Sequence, residues 1–180
     1  MTHAEHIVID IETVRGPDEV MGGWANPEGF GVAVAVTWDQ ENGFQEWYEK
    51  DVEALVGELS SFGRIVGFNV LDFDFRVLAA YQPAVSKLLR GKTVDILADV
   101  HRALGFRVKL DELARETLGR GKTGTGEQAL RWWREEKRDL VVKYCQADVA
   151  LTRDIYEYGL KRGEIYYPSY GSKRPVTVNW

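Results

Sequence analysis

The chain has 180 residues and a single cysteine, Cys145. No intramolecular disulfide can form, and a lone thiol fits a reducing compartment, so a cytoplasmic location is expected. Long hydrophobic runs are missing as well. The most apolar stretch, Val32–Trp38, falls far short of the roughly 20 residues of a membrane helix, and no membrane partner is expected. Near the N-terminus Glu5 and His6 precede a strand-like run, where a secretion signal would carry basic residues and then an apolar core. Repeats, linkers and low-complexity segments are absent too. What is present is 44% hydrophobic and 28% charged residues, a balance that excludes disordered and fibrous classes. The length suits one domain over residues 1–180, able to bury roughly 70% of the surface its unfolded form exposes.

Basic residues are scarce at the start of the chain. Met1–Asp74 has 3 basic and 15 acidic residues, whereas Phe75–Trp180 has 20 and 13. An acidic part that supplies metal-binding carboxylates, joined to a basic part that meets phosphate, would produce this asymmetry. A coincidence of solvated surface would produce it equally well.

His6–Glu12, Phe30–Trp38 and Phe44–Tyr48 are short β-branched and aromatic runs that read as strands. The polar turn Asp39–Gly43 joins the second and third as a hairpin. A helix over Asp51–Phe62, capped by Asp51, and a buried strand over Arg64–Phe68 follow. Helices then dominate, over Val70–Tyr81, Lys109–Leu118, Glu127–Lys137 and Arg138–Arg162, with a strand-to-helix stretch at Thr93–Leu104 and a small hairpin at Ile165–Trp180. Strands in hairpin order followed by alternating helix and strand predict an α/β fold, with helices on a mixed sheet.

Asp10 and Glu12 lie two residues apart in a strand, so both leave one face while Ile7, Ile9 and Ile11 leave the other. Like charges that close are costly unless a cation neutralises them, and hard divalent metals prefer such oxygen ligands. In the helix after Asn69, Leu71, Phe75 and Leu78 form the core stripe and Asp74 falls on it. Asp72 stands on another face, four residues before Arg76, as half of a surface ion pair. Asn69 at the junction is either an N-cap or a substrate contact. The last helix repeats the pattern: Val141, Tyr144, Leu151 and Ile155 share a stripe with Asp148, and Arg153 and Glu157 pair elsewhere. Four acids on three elements thus point inward, which is hard to bury without cations between them. Asp95 reads as a helix cap or an acid behind the site.

Gly119–Gly124 (GRGKTG) fits G-x-G-x-x-G but follows a helical segment instead of a strand. The phosphate-loop pattern fails as well, because Glu116 stands where it needs glycine, so no nucleotide cofactor is indicated. Arg120 and Lys122 in this loop, with Arg131 and Arg134 beyond it, either contact a nucleic-acid backbone or are simply solvated. Trp132 and Trp133 are adjacent, so at most one faces the core and the other stacks on a base or a neighbouring helix.

Three segments, DIET at Asp10–Thr13, NVLDFD at Asn69–Asp74 and YCQAD at Tyr144–Asp148, resemble in order the motifs of the DEDD superfamily of 3′–5′ exonucleases. That superfamily has a ribonuclease-H-like fold, here a mixed central sheet of about five strands flanked by helices. The likeness is closest to the proofreading domain of family-B DNA polymerases, whose second motif similarly reads Asn, three residues, Phe, Asp, and whose third begins Tyr-Cys. It implies two divalent ions, Mg²⁺ or Mn²⁺, held by Asp10, Glu12, Asp74 and Asp148, with Tyr144 positioning the attacking water. Tyrosine there marks the tyrosine subclass, since His3, His6 and His101 all lie outside the third motif. Thr13 and Asn69 would contact the terminal nucleotide, with Phe73 beside it or in the core. The activity implied is removal of nucleoside 5′-monophosphates from the 3′ ends of single-stranded DNA, with RNA as the close alternative and a polymerase or helicase as a possible partner. A non-catalytic interaction module on the same fold is the rival from another class.

Overall fold

The computed structural model describes residues 6–180; Glu5, read above against a signal segment, lies outside them. Strand β1, His6–Thr13, is the middle of a five-stranded sheet in the order β3-β2-β1-β4-β5. β2, Val32–Asp39, runs antiparallel to it and pairs in turn with β3, Gly43–Trp47. On the other side β4, Arg64–Gly67, and β5, Thr93–Asp95, are parallel. The hairpin turn forms because the Asp39 carboxylate accepts the backbone N–H of Glu41 and of Asn42 at 2.9 Å. Gly43 completes it at φ +70°, a conformation that a Cβ disfavours.

A central strand is buried on both faces, and alternation sorts its side chains. Ile7, Ile9 and Ile11 join a core with α1, Val52–Ser61, α2, Asp74–Ala79, and α3, Val85–Leu89. Val8 faces the other core, built from α4, Ile96–Leu104, α5, Leu110–Leu118, and the 25-residue α7, Arg138–Arg162. α6, Gly126–Arg134, packs on α7, and a hairpin of β6, Glu164–Ser169, and β7, Ser172–Thr177, closes the chain.

The helix predicted from Val70 starts only at Asp74. Asn69 is left-handed at φ +63°, and the Asp95 carboxylate accepts the backbone N–H of Asn69 at 2.9 Å and of Leu71 at 3.0 Å. Those donors are thereby diverted from a helical ladder. The same carboxylate caps α4 through the Ala98 N–H at 3.2 Å. Asn69 is consequently no N-cap; Phe73 holds that position without a side-chain cap. Val70 takes the buried place expected of Leu71, while Phe75, Leu78 and Asp74 are buried as expected. Gly67 is required just before this turn, because a Cβ there would lie 2.5 Å from that of Val70.

Other local pairings also yield to tertiary partners. Arg76 turns from Asp72 to Glu28, making two 2.8 Å bonds. Arg153 bonds Asp154 instead of Glu157 and lies over the Trp38 ring at 4.6 Å. Asp51 receives the Tyr48 N–H at 3.1 Å, capping the turn before α1 and not α1 itself. Trp132 and Trp133 are both half-buried, Trp132 edge-on to Tyr144 and Trp133 under the Arg138 guanidinium. α3 is too short for periodicity to reveal.

Replacing Asp95 by alanine strands three buried or half-buried N–H groups at once. Asp95→Ala is expected to lower the unfolding free energy by about 2–4 kcal/mol, read by urea titration. An unchanged midpoint would show that the clasp contributes nothing.

Candidate active site

The two faces of β1 separate its isoleucines from its acids, and the acidic end of the other face opens into a cleft of about 1760 Å³. Asp10 and Glu12 enter from β1, Asp74 from the first residue of α2, and Tyr144 and Asp148 from one face of α7. The β1–β2 register shifts between Glu12 and Thr13, so the ladder is irregular where the chain leaves the site. Thr13, Asn69 and Phe73 line the same cleft. Thr13 donates its hydroxyl to the Arg15 carbonyl at 2.9 Å, and the Asn69 side-chain oxygen accepts from Arg107 at 3.0 Å.

Carboxylate oxygens of Asp10 and Glu12 and the Cys145 sulfur all fall within 4.8 Å of one another. The thiol sits behind Asp10, 3.3 Å from its carbonyl oxygen and 3.4 Å from Oδ2. Asp74 and Asp148 stand outside that tight trio, 2% and 3% exposed. Each has one carboxylate oxygen, Oδ1, buried without a hydrogen-bond partner among the described residues. Buried acceptors left unmet in this way are costly.

Burial, and then the charge of Asp148, push the Asp10 carboxyl from 3.8 up to about 7, against the pull of Lys122 and Cys145. Glu12 and Asp74 are raised well above the carboxylate range, by burial first and then by the charge of Asp10. Asp148 is raised less, because the Lys122 ammonium lies 2.5 Å from its Oδ2 and opposes the burial. Burial alone would lower Lys122, but Asp148 and Tyr144 outweigh it and the side chain stays cationic. The Tyr144 phenol is pushed upward by burial and by Asp148, and it keeps its proton. Four buried or half-buried acids, with the Lys122 ammonium paired to Asp148 and hard oxygen donors unmet, suit a divalent cation.

Lys122 and Cys145 are the site residues that sequence reasoning missed. Lys122 and Arg120, neighbours in one loop, part in the structure. Lys122 turns into the cleft, its backbone N–H held by Asp111 at 2.7 Å, while Arg120 pairs with Asp154 away from it. The glycine content of this loop has a steric reason at Gly124, where a Cβ would come within 3.3 Å of the Tyr144 ring. A lysine in a glycine-rich loop was the only available signal. Arg107, Lys109, Arg115, Arg131 and Arg134 complete a basic wall on the same cleft. All come from the basic part of the chain, and Asp10, Glu12 and Asp74 from the acidic part.

Because Asp10 is protonated up to about pH 7 when folded and only to 3.8 otherwise, the metal-free folded chain binds more protons than the unfolded chain across that window. Stability is then greatest at the acid end of the window and falls as pH rises through about 7. Calorimetry in EDTA is expected to show Tm dropping between about pH 5 and pH 8, with Asp74→Asn recovering roughly 3–6 °C at the upper end. Saturating Mg²⁺ should cancel the slope, since it binds the ionised groups. A flat profile without metal would contradict the electrostatic account.

No family model matches the chain, and no curated relative matches it. Among solved structures it is similar to the family B DNA polymerase from the hyperthermophilic archaeon Pyrobaculum calidifontis, with a TM-score of 0.65 at 16% identity. The match covers 88% of this chain and 25% of that one, so the chain spans about a quarter of the polymerase's length. At this identity the likeness concerns the fold: the mixed five-stranded sheet flanked by helices is an arrangement shared with part of a family B DNA polymerase.

Proposed function

We propose that the protein is a metal-dependent 3′–5′ exonuclease of the tyrosine subclass, hydrolysing single-stranded nucleic acid, DNA in preference to RNA, to nucleoside 5′-monophosphates. The observation that carries this reading is the convergence of Asp10, Glu12, Asp74 and Asp148 in one cleft, Asp10 and Glu12 half-buried and Asp74 and Asp148 buried, with oxygens of Asp74 and Asp148 unmet. A fold shared with part of a DNA polymerase supports DNA as the substrate. The four carboxylates would hold Mg²⁺ or Mn²⁺, which when bound lowers the pKa of water and neutralises charge on the leaving 3′ oxygen.

The chain's own residues do the positioning. Tyr144, kept protonated in the cleft, orients the attacking water by donating or accepting through its hydroxyl. Lys122, cationic beside Asp148, presents a fixed positive charge where the phosphate becomes more negative. Thr13 and Asn69 take the terminal nucleotide, and the basic wall takes phosphates of the strand behind it. Cys145 donates to Asp10 from behind and sets its orientation.

Digestion of matched 5′-labelled single-stranded DNA and RNA with Mg²⁺ or Mn²⁺ tests this. A stepwise ladder shortening from the 3′ end is expected, faster on DNA, and absent in Asp74→Ala and Asp148→Ala. Failure to cleave either substrate with either metal would overturn the proposal in favour of a non-catalytic module.

The auxiliary groups should rank below the acids. Tyr144→Phe is expected to lose roughly 10- to 100-fold in kcat, and Lys122→Ala roughly 100- to 1000-fold. Loss in Tyr144→Phe equal to that in Asp74→Ala would remove the water-positioning role.

A further inference from the structure

Trp24 is 68% exposed, an unusual position for so large an apolar side chain. It is also held in place. Its ring packs on Phe30 at 5.7 Å and Phe73 at 6.1 Å, and those two meet edge-on at 5.9 Å, so three aromatics form one closed cluster. The segment that carries Trp24, between β1 and β2, is braced from several sides. Arg76 reaches the carbonyl of the next residue, Ala25, at 2.8 Å while forking onto Glu28. Arg15 donates to the Gly29 carbonyl at 2.8 Å, and Asn26 to that of Met21 at 3.0 Å.

This aromatic cluster is part of the wall of the acidic cleft, and Phe73 is the residue before Asp74. The same cleft is lined by Arg131 and Arg134 of α6, and Arg134 pairs with Glu19 of the same braced segment at 2.5 Å. A strand entering the cleft therefore meets both an aromatic surface and guanidinium groups. Stacking on an exposed ring combined with charge along the backbone is how single strands are held without regard to sequence.

We infer that Trp24, supported by Phe30 and Phe73, is the stacking platform for one unpaired base of a single-stranded substrate. The nature of the ligand rests on the exonuclease reading; the platform itself rests on the aromatic geometry. Trp24 is a positioning residue and touches none of the four acids' chemistry.

The test is binding of 5′-fluorescent single-stranded DNA by anisotropy with Ca²⁺ in place of Mg²⁺, for the intact chain, Trp24→Ala and Trp24→Phe. One abasic position is moved one nucleotide at a time from the 3′ terminus. Trp24→Ala is expected to bind about tenfold more weakly, Trp24→Phe to recover most of that, and the alanine penalty to vanish when the abasic position reaches the stacked base. An equal alanine penalty at every abasic position, or none at all, overturns the platform. Digestion with Mg²⁺ is run in parallel. Cleavage by the intact chain with Trp24-independent binding sinks the platform and keeps the exonuclease; Trp24-dependent binding without cleavage does the reverse. Failure of the intact chain to bind single strands overturns both.

Discussion

Carboxylates held together out of water repel one another and forfeit hydration, and in this protein Asp10, Glu12, Asp74 and Asp148 share one cleft in which the Lys122 ammonium pairs with Asp148. The arrangement raises the affinity of the acids for protons in the metal-free state. What suits protons also suits divalent cations, because both relieve the same uncompensated charge. Much of the surrounding structure holds this charge in place. β1 is central, so Asp10 and Glu12 cannot withdraw to a solvated edge, and α7 packs across β1 and β2 with Asp148 on its buried stripe.

Holding Asp74 opposite those residues needs a sharp redirection of the chain after β4. Gly67 lets the backbone pass close to Val70, Asn69 adopts a left-handed conformation, and Asp95 takes the N–H groups the turn leaves over. Asp95 is thus both a helix cap and the clasp of the turn. It serves the site through the backbone and does not line the main cleft.

The charge asymmetry along the chain acquires a spatial meaning once it folds. Acids of the first part and basic residues of the second line the same cleft, which suits a ligand with a negative backbone drawn toward bound cations. Trp24, Phe30 and Phe73 add an apolar surface on the same wall. No helix among the described residues is long and apolar enough to cross a membrane.

The sequence by itself determined which side chains share a face. Asp10 and Glu12 at alternate strand positions, and Tyr144 and Asp148 one helical turn apart, have directions that the backbone period imposes within a few residues. The bounds of α7 and the hairpin turn at Asp39–Gly43 were legible for the same reason. Tertiary structure alone decided the start of α2, where Asp95, 26 residues from Asn69, outcompetes the helical ladder. It also decided the turning of Lys122 onto Asp148, the placing of Cys145 behind Asp10 across 135 residues, and the packing of Trp24 on Phe73. These contacts depend on how separate elements dock, and no local periodicity encodes that.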